Sequence, residues 1–104
     1  MFTIGDKNYH LHYTEQRLEL IEARTGKSVV SDFINTNGAL QLATIKAHFA
    51  YALICDDDNP DVYVAPKTGM ELASQYMKEH GYAAACDAIA SQVQADLGFL
   101  FRAG

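Results

Sequence analysis

The stretch Leu40–Cys55, LQLATIKAHFAYALIC, decides the fold. Its only charged residue is Lys46. Leu42, Ile45, Phe49, Ala52 and Leu53 recur at helical spacing along one face. Alanines 43, 47 and 50 keep the remaining surface slim, so neighbours can pack on several sides. A helix apolar nearly all round belongs in the middle of a fold. A bilayer span needs about 20 apolar residues, and this stretch is shorter and carries Lys46 and His48. The expectation is a central core helix from about Leu42 to Ile54, stopped near Cys55 by the carboxylates that follow.

Upstream of this core, Phe2 and Ile4 alternate with polar residues, and so do Tyr9, Leu11 and Tyr13. Gly5-Asp6-Lys7-Asn8 lies between them, so residues 2–13 read as a β-hairpin. Tyr9, Leu11 and Tyr13 share one face, and His10 and His12 share the other. A lone hairpin is marginally stable, so this one must lie on helices or gain another strand. Thr14 is a good N-cap, Glu15 suits the first turn, and Gly26 suits a C-terminal cap, which predicts a helix over 15–25. Ser28–Ile34 fits either a short capped helix or a buried extended piece.

Downstream, Asp56-Asp57-Asp58-Asn59-Pro60-Asp61 reads as a solvated loop, and Val62-Tyr63-Val64 as a minor strand or an extended approach. A helix follows over about Lys67–His80. Pro66 and the Thr68–Glu71 capping box compete for its start. An alanine-rich helix runs from about Tyr82 to Leu97, with Gly98 ending it. The class is therefore α+β, mainly α: an N-terminal hairpin (1–13) and a helical part (14–104) in one domain of 104 residues.

The net charge of −5 lies entirely beyond Cys55, since residues 1–55 balance five Lys/Arg against five Asp/Glu. That balance argues against nucleic acid and anionic membrane as partners. The N-terminus shows no signal-peptide pattern, and both cysteines, Cys55 and Cys86, sit in apolar helical patterns. The expected compartment is the cytoplasm.

Patterns that carry chemistry fail on spacing. Gly26-Lys27-Ser28 matches the tail of a phosphate loop, but Ile21 stands where its first glycine belongs and a helix precedes it. The acidic loop lacks the glycine and glutamate of an EF-hand in either frame. His10 and His12 make half a metal site without a third ligand nearby. No catalytic residue, cofactor or metal is expected. A pocket lined by His48, Tyr51 and Cys55 would point instead to a small ligand-binding or enzymatic domain.

The chain resembles the tail assembly chaperones of long-tailed bacteriophages and prophages of Gram-positive type. The residues that carry the likeness are FTIGDKNYHLHY, TEQRLELIEARTGKSV, LATIKAHFAYAL, PKTGMELASQYMKEHGY and the closing QADLGFLF. The acidic DDDNPDVYV departs from that pattern. The resemblance implies a non-enzymatic protein of the host cytoplasm, absent from the finished virion. Such a protein binds the tape-measure protein and keeps its apolar helices soluble until the tail tube polymerises. It also implies self-association into homo-oligomers and, in many such phages, a frameshifted longer form. Tyr76, Met77, Leu97, Phe99, Leu100 and Phe101 are the expected partner-binding residues. A structural tail-completion component is the alternative.

Overall fold

A computed structural model describes residues 1–102. Two short strands, β1 (Phe2–Ile4) and β2 (Lys7–Leu11), form the expected hairpin. Gly5 turns it at φ 64°, a backbone conformation that a residue with a Cβ rarely adopts. Five helices follow: α1 (Glu15–Thr25), α2 (Val29–Thr36), α3 (Leu42–Ala52), α4 (Pro66–His80) and α5 (Tyr82–Leu97). A third strand, β3 (Leu53–Cys55), stands between α3 and α4.

The strand β3 corrects the reading of the core stretch as one helix to about Ile54. Leu53, Ile54 and Cys55 leave α3 and pair antiparallel with β2, Leu11 opposite Leu53 and Tyr9 opposite Cys55. The sheet order is β1-β2-β3, so β2 is paired on both edges. A short apolar run suits a strand as well as a helix. Here an open hairpin edge decides, because an unpaired edge leaves backbone groups unsatisfied. Tyr63 adds a single bridge to Ile54, so Val62–Val64 is an extended approach.

Helix α3 is the centre of the fold, as expected: Ile45, Ala47, Phe49, Ala50 and Ala52 are all buried. Leu42 is the exception at 57 % exposure. Helix α3 packs tightly on α4, and Gly69 makes that possible. A Cβ on Gly69 would stand 2.9 Å from the Cα of Ala50 and closer still to the Phe49 carbonyl oxygen. Only a hydrogen fits there. Pro66 holds N1 of α4, so the proline start prevails over the Thr68 capping box.

The segment after Gly26 is helical. The Ser28 hydroxyl accepts from the Ser31 N–H, and Asn37 closes α2 at φ 55°. Thr14 caps α1 by accepting from the Arg17 N–H. Gly98 does not end the chain's helical course. It keeps right-handed φ and ψ, and residues Gly98–Phe101 tighten into a 3-10 turn. One apolar cluster links the sheet to the helices α1 to α5. No described helix is long and apolar enough to cross a membrane.

Candidate functional site

The six residues expected to bind a partner do not share one surface. Tyr76 belongs to the core, with Phe2 edge-on at 4.9 Å and Phe49 at 5.5 Å between ring centroids. Leu97 is also buried. Both fill the inner face of their own helix. Met77 is half-buried against the same core. Phe99, Leu100 and Phe101 remain, and they stand together on the 3-10 turn.

Phe99 points outward, 49 % exposed. Leu100 and Phe101 rest against the core cluster, Phe101 beside Phe33 of α2 at 6.1 Å. Consecutive residues of a tight turn diverge, and these two look into different grooves. Phe101 lines one of about 240 Å3 together with Phe33, Asn37, Ala90 and Gln94. Leu100 lines another of about 340 Å3, floored by Leu18 and Val30 and rimmed by Glu15, Glu19 and Glu22. These three glutamates follow helical spacing on α1 and form one acidic stripe. The Glu22 carboxylate is also held by the Val29 N–H at 2.9 Å. The surface therefore offers apolar floors with carboxylates along one side.

The rejected metal and catalytic patterns resolve into structure. The acidic loop is no mere solvated loop, because it clamps β2. Asp56 meets His10 at 2.8 Å, Asp57 accepts from the Asn8 N–H at 2.6 Å, and Asp58 accepts from Lys7 at 2.7 Å. The hydrogen bond from Lys7 lowers the pKa of Asp58. His12 sits apart from His10 on the Tyr63 hydroxyl, which it meets at 3.0 Å. Arg17 lies 3.7 Å above the Tyr63 ring. At the other end of the hairpin, Glu79 accepts from the Gly5 N–H and His80 meets the Thr3 carbonyl at 2.8 Å. Among the described residues, no group of three or more His, Cys, Asp or Glu is placed to hold a metal ion.

His48 lies inside the core and bonds to the Tyr13 hydroxyl. Burial pushes its pKa down to about 3. Tyr51, Cys55 and His48 line no common cavity among those described. The sequence held a signal for the tail, in its apolar run after Gly98. It held none for the acidic rim, because α1 meets the tail only through the fold. No protein-family model, curated protein or solved structure matches the chain.

Proposed function

We propose that this chain is a non-enzymatic phage tail assembly chaperone that holds amphipathic helices of a tape-measure protein before the tail tube forms. The observation that carries the reading is the pair of grooves flanking Leu100 and Phe101, one of them rimmed by Glu15, Glu19 and Glu22. An amphipathic helix binds by laying its apolar face into such a groove. Carboxylates along one side select a helix that also carries lysine or arginine, because charge complementarity steers and orients the encounter. The resemblance in hydrophobic spacing and glycine–proline punctuation supports the same reading.

The proposal includes self-association, and in phages that frameshift, pairing with a longer form of the same chain. Helix α5 supports it, since half-buried Ala84 and Ala88 and exposed Ala95 recur on one side of the helix and leave a slim stripe for close approach. The place of action is the host cytoplasm, and release on tube assembly leaves the chaperone out of the virion.

The test is co-expression with the long helical protein encoded directly downstream. The parent chain should keep that protein soluble and co-purify with it. Glu19→Lys and Leu100→Glu should each abolish the co-purification while the chain stays folded. If both variants hold the tape-measure protein as the parent does, or if no such gene adjoins, the reading fails.

A further inference from the structure

Helix α1 separates two surfaces of opposite sign. Its core line is Leu18 and Ile21, both buried. At about 3.6 residues per turn, Glu15, Glu19 and Glu22 fall to one side of that line. Arg24 falls to the other side, about 180° from Glu15. The acidic side borders the groove floored by Leu18, Val30 and Leu100. The other side borders a cleft of about 310 Å3 between the end of α1 and the start of α3. Its charged lining is wholly basic, Arg24, Lys27 and Lys46, in a protein whose net charge is −5. The ion pairs among the described residues are Lys7–Asp58 and His10–Asp56, and they involve none of these three cations. Neutral neighbours hold two of the cations in place: Lys27 donates to the Gln41 side chain at 2.7 Å, and Arg24 to the Met70 sulfur at 3.6 Å.

The two surfaces also complement each other in shape. Between its cations the cleft is apolar, lined by Ala43, Ala47 and Met70. Leu42 stands one turn before Lys46 on the same side of α3 and is largely exposed. On the acidic side, Phe99 stands exposed beside Leu100. One surface thus presents an aromatic knob next to carboxylates. The other presents an apolar hollow next to cations.

We infer that the basic cleft docks the acidic face of a second copy of this chain. Phe99 of that copy enters the hollow beside Leu42 and Met70, and its Glu15, Glu19 and Glu22 range against Arg24, Lys27 and Lys46. Opposed charges steer the encounter and fix its register, and a desolvated aromatic anchors it. The two faces lie on opposite sides of α1, so the contact is heterologous and joins copies head to tail. It is separate from the small-residue stripe of α5. It goes beyond the tape-measure reading but shares one surface with it. A basic tape-measure helix and a second copy compete for Glu15, Glu19 and Glu22, so capture of the helix opens the head-to-tail contact.

The experiment is sedimentation of the full chain over a range of concentration and salt. The parent should self-associate, and less so as salt is raised. Glu19→Lys and Lys46→Glu should each weaken self-association about tenfold or more. An equimolar mixture of the two variants should recover the parent's affinity. In that mixture the unaltered cleft of the Glu19→Lys chain meets the unaltered acidic face of the Lys46→Glu chain. A variant that had merely misfolded could not restore the contact. Lys46→Glu leaves the tape-measure groove intact and should still co-purify with the tape-measure protein, which separates this contact from the proposed function. A parent that stays monomeric overturns the proposal. So do variants that associate as the parent does, the result an α5 contact alone would give, and a mixture no tighter than its components.

Discussion

The Tyr13 hydroxyl stands 2.8 Å from Nδ1 of His48, and both side chains are sealed in the core. The pair ties the end of the hairpin to the middle of α3. Burial holds His48 neutral, with a pKa of about 3 against an ordinary 6.5, and pushes the Tyr13 phenol up. Nearby, the Tyr13 N–H donates to Asp96 of α5 at 2.8 Å, so one residue joins sheet, central helix and last helix.

A pH dependence follows from His48. Its folded pKa lies below its unfolded one, so the stability it contributes is complete above about pH 6.5 and is lost progressively toward pH 3. Unfolded chains take the proton first, and the loss at pH 5 should be about 2 kcal/mol relative to pH 7. Thermal melts at both pH values check this. His48→Phe should melt lower at pH 7 and show a shallower fall on acidification. A parent melting point that is flat over this range would mean that His48 is not buried neutral.

The central helix sets a pair of contrasting expectations. Phe49 is fully buried and Leu42 mostly exposed, although both belong to one helical stripe in the sequence. Phe49→Ala should cost about 3–5 kcal/mol. Leu42→Ala should stay within about 0.5 kcal/mol. Denaturant midpoints of the two variants measure the contrast, and similar values would contradict this placement of α3.

Why Leu42 and Leu53 escape the helical stripe is a matter of what lies around α3. The period of the residues fixes which side is apolar, but the first turn of a helix meets only the neighbours that the chain brings there. Leu53-Ile54-Cys55 continues the apolar run and carries no local mark of a strand. Its strand character comes from the open edge of β2, some forty residues earlier in the chain. The hairpin and the capped α1 were readable because turns and caps act within a few residues, and the start of α4 was readable to within one turn, Pro66 or Thr68. The roles of Asp56–Asp58 were not, since their partners Lys7, Asn8 and His10 are distant in sequence.

Gly69 tests the packing of α4 on α3. Its missing Cβ is the space occupied by the Phe49 carbonyl and the Ala50 backbone, which cannot step aside as a flexible side chain would. Gly69→Ala gains helix propensity and still should destabilise by about 1–3 kcal/mol, because overpacking separates the two helices. An increase in melting temperature would show that the approach is looser than this.

The acidic loop should behave as a clamp without a metal. Asp57→Ala removes the acceptor for the Asn8 N–H and should cost about 1 kcal/mol. Asp61→Ala, at an exposed position, should be close to neutral. Melts of the parent with and without a strong chelator should superimpose. A large drop on chelation, or equal effects of the two variants, would contradict the clamp.

The tail separates two roles that lie two residues apart. Phe101 packs on Phe33 and helps close the core, whereas Phe99 is half exposed and has no aromatic partner within the described residues. Phe101→Ala should therefore lower stability, by about 1–2 kcal/mol for a half-buried ring. Phe99→Ser should leave the melting temperature within a degree or two, yet weaken self-association or capture of tape-measure segments. Under the proposed function, the exposed Phe99 beside the Leu100 and Phe101 grooves is the residue that meets the partner. Removing residues 99–104 should combine both effects: a less stable domain with its helices retained, unable to hold its partner. Circular dichroism reads the first effect, and sedimentation with a tape-measure fragment reads the second. If Phe99→Ser assembles and captures as the parent does while Phe101→Ala alone fails, the tail serves only the chain's own core.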